Sequence, residues 1–317
     1  MSVIILARLF DPTVDAVVTA LNGRAVPVFR CDLAEFPTRL RINAEFRSGR
    51  WTGSLRNDHH MIDIDSVRSI WYRNPSTYRF PDHLTPQEAS FCYREAKLGF
   101  GGVLASLDVL WANPLYSRAI FKPYQWRVAA ECGLAVADTI ITNDPCSART
   151  FVASIPGDTI TKALGPSGIV EDGVVKVSYT RRLTTEDRAN LDTVSATATT
   201  LQACVPKAFE VRLTIIGGAW FPIAVHASTV ETWQDWRSDP SALTYEHVAV
   251  PDAVAESVRA YMSRMDLTYT AMDFVVTPDE EWLLLEANTG PQFAWLEAAT
   301  GAPMIAAMAD MLARGTM

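Results

Sequence analysis

The chain reads as an α/β (α+β) protein of two or three compact units, and three observations predict this. At 317 residues it is too long for a single core. It starts with a β-α-β rhythm: an apolar run at 3–7, helical spacing from Pro12 to Asn22 that stops at Gly23, and a second apolar run at 26–29. Its last third holds two antiparallel pairs, one closed by Gly217-Gly218 and one by Thr277-Pro278-Asp279-Glu280.

The opening β-α-β unit implies an open, partly parallel sheet. No GxGxxG follows the first strand, so dinucleotide binding is not supported. Residues 39–46 and 51–55, separated by Ser48-Gly49-Arg50, predict a hairpin, and 67–72 a further strand. Trp71-Tyr72-Arg73-Asn74-Pro75 ends that strand with two aromatics, a cation and a proline turn, which suits a capped strand end as well as a binding loop. Residues 86–109 predict one long helix. Asn113-Pro114 marks a boundary, which gives an N-terminal domain over 1–113.

A helical stretch from Ser117 then carries Lys122, Gln125 and Arg127 and ends near Gly133. Residues 137–142 and 159–164 predict strands, the second with Lys162 inside it; a lysine in a strand is ordinarily a surface residue. Gly165-Pro166-Ser167-Gly168 and a further Asp172-Gly173 turn lead into 174–179. Residues 184–202 look helical and weakly amphipathic. These stretches form a central unit over 114–200, with the remainder, 201–317, as the last.

The clearest hairpin is 209–216 with 219–226, because Gly-Gly supplies the positive φ angles of a two-residue turn. Glu210 and Arg212 share one of its faces. Asp235-Trp236-Arg237 lies in the polar connection that follows. A helix over 252–264 leads to the second pair of strands, and 292–314 is helical with an Ala- and Met-rich packing side.

That second pair carries chemistry. If Thr277 to Glu280 is the whole turn, Asp273 lies opposite Leu284, and Glu286 and Asn288 share its face. Asp273 and Glu286 are then diagonal neighbours roughly 7–8 Å apart at the backbone, and two carboxylates with an amide oxygen suit magnesium. An acidic outer face on a half-exposed hairpin is the alternative. Against it, Glu286 follows Trp282-Leu283-Leu284-Leu285, and a carboxylate beside such a run is rarely left without a cation.

Composition excludes several classes. A net charge of −8 argues against nucleic acid or an anionic membrane as the main partner. Five cysteines, an odd number without CxxC spacing, suggest neither a disulfide framework nor a zinc site and fit a reducing cytoplasm. Residues 1–8 lack a basic lead and a long apolar run, so no signal peptide is expected, and no segment is a membrane-span candidate.

In order, these parts resemble the ATP-grasp fold from about Asn113 onward, preceded by an open-sheet α/β domain of the pre-ATP-grasp kind. The match is specific at Asp273 with Glu286-Ala287-Asn288, which the resemblance makes magnesium ligands, and good at Phe209-Glu210-Val211-Arg212. It implies ATP as co-substrate, Lys122 and Lys162 as the phosphate lysines, Ala203 and Cys204 after Gln202 as the hinge to adenine, and Glu210 as the ribose acceptor. A narrower resemblance runs over nearly the full length, to the ATP-grasp maturases of ribosomal peptides, the graspetide or microviridin-type ligases. It is carried by Trp71-Tyr72-Arg73-Asn74-Pro75, Asn113-Pro114, Lys122-Pro123 with Gln125, Thr142-Asn143-Asp144-Pro145, Asp235-Trp236-Arg237 and Glu286-Ala287-Asn288-Thr289-Gly290. The glycine-containing loop after Lys162 is shorter than the phosphate flap of many ATP-grasp ligases.

The resemblance implies an enzyme that activates Asp or Glu side chains of a precursor peptide as acyl phosphates and joins them to Thr, Ser or Lys side chains. Arg212 and Arg237 are the candidates for holding the acceptor carboxylate, since a guanidinium can grip it bidentately. No base for the incoming nucleophile stands out; His226, alone on a strand, fits a packing role. Leader capture by the N-terminal domain and a homodimer are further implications of the resemblance. Two rivals share the ATP site: a ligase adding a free amino acid to a protein tail or metabolite, and a non-catalytic nucleotide-binding scaffold.

Overall fold

A computed structural model of the chain describes residues 1–113, 118–165, 168–171, 174–177, 179–227, 229 and 239–316. Arg237 with Asp235 and Trp236, the Pro114 and Ser117 positions, and the Pro166-Ser167 and Asp172-Gly173 turns lie outside them.

The N-terminal unit is a four-stranded parallel sheet. β1 (Ser2–Ala7) is buried along its whole length, as a central strand covered on both faces must be. The Asp11 carboxylate accepts the Thr13 and Val14 N–H groups and so starts α1 (Pro12–Gly23). β2 (Val28–Cys31) returns beside β1, two residues later than the sequence suggested, because Pro27 precedes it. β3 (Arg41–Arg47), β4 (Arg50–Arg56) and β5 (Met61–Asp63) form a separate antiparallel sheet. β6 (Val67–Arg73) pairs with β1 on the side away from β2.

The long helix is shorter than the sequence predicted. α2 (Pro86–Ala105) opens with a Thr85/Glu88 capping box and stops at Ser106; β7 (Leu110–Ala112) then pairs in parallel with β6. Leu110, Trp111 and Ala112 thus serve a fourth strand, giving the order β2-β1-β6-β7.

The central unit follows α3 (Lys122–Glu131). It comprises β8 (Thr139–Thr142), α4 (Pro145–Ser154), β9 (Thr159–Thr161), a hairpin of β10 (Gly168–Glu171) with β11 (Val174–Val177), β12 (Arg181–Arg182), α5 (Thr185–Ala189) and β13 (Thr199–Ala203). The helix expected over 184–202 is therefore not formed. Only one turn of α-helix and a 3-10 segment, Leu191–Ala196, precede β13, which lies between β9 and β8. Thr199, Thr200 and Leu201 suit a strand flanked on both sides, and pairing overrides the weak helical pattern.

The C-terminal unit is a five-stranded antiparallel sheet in the order β16-β15-β14-β17-β18. β14 (Phe209–Ile216) and β15 (Ala219–Ala227) form the expected hairpin, with Gly217 at φ 56°. β16 (Leu243–His247) and α6 (Asp252–Arg264) follow, then β17 (Tyr269–Val276) and β18 (Trp282–Asn288). The helix expected over 292–314 is broken in two, α7 (Ala294–Thr300) and α8 (Met304–Arg314), by Gly301 at φ 73° and Pro303.

The first and last units share one core. Val3, Ile5, Val17, Leu21 and Trp71 pack with Tyr269, Phe293, Leu296, Met304, Met308 and Leu312. Trp71, Tyr269 and Phe293 form an aromatic cluster with ring centroids 6.0–6.5 Å apart. The other face of the last sheet packs Val211, Leu213 and Phe274 against Val128, Val258 and Tyr261 of α3 and α6. The central unit has its own small cluster of Ala148, Val152, Leu191, Val194 and Leu201. Among the described residues no helix is long and apolar enough to cross a membrane.

Candidate active site

A cavity of about 390 Å³ lies between the central sheet and the C-terminal sheet. Lys122, Lys162, Gln202, Ala203, Cys204, Glu210, Arg212, Asp273, Glu286 and Asn288 all line it. Residues from α3, β13, β14, β17, β18 and the segment after β9 thus converge on one space. Arg237 falls outside the described residues. His226 is not among the lining side chains; it lies 3.5 Å from Glu246 and packs on Phe209.

The carboxylate pair meets in a different register from the one the sequence suggested. Asp273 lies directly opposite Glu286, not Leu284. The connection is five residues long, closed by Thr277 N–H to Glu281 O with Glu280 at φ 64°, so Val276 pairs with Trp282. A bulge then inserts Leu285, the ladder passing from Phe274 with Leu284 to Asp273 with Glu286. Without that extra residue Leu285 would oppose Asp273 and Glu286 would face the other side of the sheet.

Each acidic group here has a cation beside it. Arg212 Nη1 lies 2.9 and 3.2 Å from the two oxygens of Asp273, both side chains buried. Lys122 Nζ lies 2.7 Å from Glu286 Oε2 and donates to the Ala163 carbonyl at 3.3 Å. Lys207 pairs with Glu210. Asn288 Nδ2 bridges Asp273 Oδ2 at 3.0 Å and Glu286 Oε1 at 3.3 Å. Turning that amide about its terminal bond presents oxygen to the same gap, and two carboxylates with one amide oxygen are a donor set for a hard divalent cation.

On the opposite wall, Gln202 is buried and donates to Thr139 Oγ1 at 2.7 Å. The N–H groups of Ala203 and Cys204 donate to the carbonyls of Asp138 and Asp158 at 2.9 and 2.8 Å. Ala203, Cys204 and Val205 complete that wall. Lys162 lies just past β9, with Nζ 5.4 Å from the Trp126 ring centre.

The segment after β18 is held from the N-terminal unit. Arg73, 1% exposed, donates to the Gly290 carbonyl at 3.0 Å and lies 3.4 Å from Asp11. Asn113, at φ 72°, accepts the Thr268 and Tyr269 N–H groups and donates to the Tyr269 and Thr289 carbonyls. Gly290, Pro291 and Gln292 line the cavity from this strap.

Sequence reasoning missed Lys207, Thr180, Arg182 and Leu285 in the lining. Lys207 had a signal, since it stands three residues before Glu210; Leu285 had none, because strand alternation puts it on the face opposite Glu286 and only the bulge lets both line the cavity. A second cavity, of about 240 Å³, lies at the carboxyl ends of β1 and β6 beside α2, between Tyr72, Pro75, Tyr78, Tyr93, Lys97 and Phe100.

Residues 3–118 match the family of the MvdD pre-ATP grasp domain. No curated protein sequence matches the chain. Among solved structures, the macrocyclase MdnC from Microcystis aeruginosa MRC, bound with precursor peptide MdnA, is similar over 99% of this chain and 100% of its own, with a TM-score of 0.85 and 26% identity. The macrocyclase MdnB from the same source is similar over 98% of each chain, with a TM-score of 0.80 and 27% identity. A RiPP-associated ATP-grasp ligase from Chryseobacterium gregarium, in complex with ADP and a leader and core peptide, shares the fold over 100% of this chain and 98% of its own, with a TM-score of 0.90 and 22% identity.

Proposed function

We propose that this chain, an ATP-grasp protein of the ribosomal-peptide macrocyclase kind with a pre-ATP-grasp N-terminal domain, is an ATP-dependent ligase. It activates Asp or Glu side chains of a ribosomally made precursor peptide and joins them to Thr, Ser or Lys side chains, closing ω-ester or ω-amide macrocycles. The observation that carries this reading is the single cavity in which paired carboxylates, an amide and two lysines from different units face a buried hinge strand.

A carboxylate cannot be displaced directly, since oxide would have to leave. It therefore attacks the terminal phosphorus of ATP, the bond to the bridging oxygen breaks, and ADP departs. The hydroxyl or amine then attacks the acyl carbon, phosphate departs with the bonding pair, and the nucleophile's proton passes to the medium. Lys122 and Lys162 hold phosphate oxygens as fixed cations, and Arg212 holds the acceptor carboxylate. Asp273, Glu286 and Asn288 hold magnesium, which supplies charge neutralisation when bound. Gln202 with the carbonyls of Ala203 and Cys204 faces adenine, and Glu210 accepts from the ribose. Arg237 is assigned with Arg212 to the acceptor carboxylate.

The reading includes capture of the precursor's leader by the N-terminal unit, where the aromatic cavity beside α2 offers an apolar recess with one lysine. It also includes a homodimer and a cytoplasmic location. Intact mass of a candidate precursor after incubation with the protein, ATP and magnesium tests the chemistry. Loss of one water per ring, dependent on ATP, is expected; a gain of an amino-acid residue would point to a tail-adding ligase instead, and an unchanged mass would refute the macrocyclase reading.

A further inference from the structure

The bulge at Leu285 turns Glu286 toward Asp273, yet β18 is an edge strand, and among the described residues its far side meets backbone only at Ala135, which bridges Leu283 and accepts the Leu284 N–H at 2.8 Å. Beyond that bridge, helix α3 takes a neighbour's place. Gln125, 3% exposed, accepts the Ala287 N–H at 2.9 Å and donates to the Ala287 carbonyl at 2.9 Å, pairing both backbone groups as a strand would. Trp126 Nε1 donates to the Leu285 carbonyl at 2.9 Å. Lys122 reaches the Glu286 carboxylate between them. Positions i, i+3 and i+4 of one helix face thus address three consecutive strand residues, 285 to 287.

The same indole carries a second load. Its ring faces Lys162 Nζ at 5.4 Å, and Lys162 belongs to the central unit, whereas Leu285 belongs to the C-terminal sheet. We infer that Gln125 and Trp126 are positioning residues: they template the bulge that turns Glu286 onto the face of Asp273, and through the Trp126 ring they tie the position of Lys162 to it. The inference rests on the magnesium and nucleotide assignment proposed above. Groups one bond removed from metal ligands commonly set affinity by 10–100-fold, because a ligand free to swing must be ordered at each binding event.

The test is magnesium-dependent ADP binding by calorimetry, with the full chain. Trp126→Phe removes the N–H and keeps a ring face; Gln125→Met removes both bonds to Ala287 at similar volume. Each is expected to raise the magnesium concentration at half-saturation about 10–100-fold. Trp126→Leu, which also removes the ring face, is expected to weaken magnesium-free ADP binding by a further 2–5-fold or about that. Val128→Ala supplies the control, since Val128 is fully buried in the same helix and packs against the core. It should lower the melting temperature and leave the magnesium requirement unchanged. A magnesium requirement equal to wild type in whichever of Trp126→Phe and Gln125→Met folds, or a rise in Val128→Ala matching theirs, would overturn the template. Wild-type protein that binds no magnesium with ADP would instead bring down the functional reading on which it rests.

Discussion

The sheet that carries Asp273 and Glu286 is backed on one face by Trp71, Phe293 and α8 and on the other by α3 and α6. The sheet that carries Gln202 and borders Lys162 rests on Ala148, Val152, Leu191, Val194 and Leu201. One wall of the cavity is therefore embedded in a core shared by two units, and the other stands on a small cluster of its own. Free energy of local opening follows buried apolar contact, so the wall of Gln202, proposed above to face the nucleotide, is expected to open before the carboxylate wall. On the proposed assignment, catalysis by positioning gains from this division: the metal carboxylates, Arg212 and Lys122 are on the rigid side, Lys162 is tied to it through the Trp126 ring, and the side that must admit and release nucleotide is the weaker one.

Substitution on the rigid side tests this most severely. Asp273→Asn should cut turnover by at least about 100-fold, since a preorganised charge is removed from the site; circular dichroism should stay near wild type, while melting falls because Arg212 is left buried without its carboxylate. Normal turnover would dismiss the magnesium assignment. Trp71→Ala should cost about 3–5 kcal/mol, read as one cooperative loss of both the N-terminal and C-terminal units in denaturant unfolding. Two separated transitions would show that the shared core is not a unit. Leu201→Ala, in the small cluster, should cost about 2–4 kcal/mol and be felt locally: faster hydrogen exchange over 139–203 and weaker ADP binding, with exchange in β17 unchanged.

The smallest effect concerns acid. Asp187 is held well below the usual carboxylate range by Arg181 and then by the Thr184 backbone and hydroxyl, and Asp144 below it by the Ser147 hydroxyl and backbone and the Cys146 N–H. Both cap helices in the central unit. A depressed folded pKa contributes stability that is present above the unfolded value, near 3.8 for an aspartate, and is lost as pH falls below it. Hydrogen exchange in 139–203 should therefore rise below about pH 4 before that in β14 and β17. Simultaneous loss in both regions would remove the distinction.

Much of this was legible in the sequence because the signals were local. Gly217-Gly218 marked its hairpin, and α6 matches the predicted 252–264. The carboxylate face was legible for a less direct reason. A turn of four residues was expected, and the connection has five; an uninterrupted ladder was expected, and Leu285 bulges out. Each departure alone would have turned Glu286 away, and the two together restore its face. β13 was not legible, since Thr199 to Ala203 become a strand only when β8 and β9 flank them. Nor were the bonds from Gln125 and Trp126 to β18, which join residues about 160 positions apart.

The core built from Trp71, Phe293 and α8 also orders events during synthesis. The strands β1 and β6 leave the ribosome early, but α8, which covers their inner face, follows some 230 residues after Trp71. At 5–20 residues per second, roughly, that interval is on the order of 10–50 s, during which Val3, Ile5 and Trp71 have α1 beside them but lack α8. Until then the nascent chain carries an apolar sheet face that α1 covers only in part. Cells expressing it are thus expected to bind the growing chain with trigger-type chaperones until residue 312 has emerged, and removal of α8 should leave a product that is degraded instead of a smaller working enzyme.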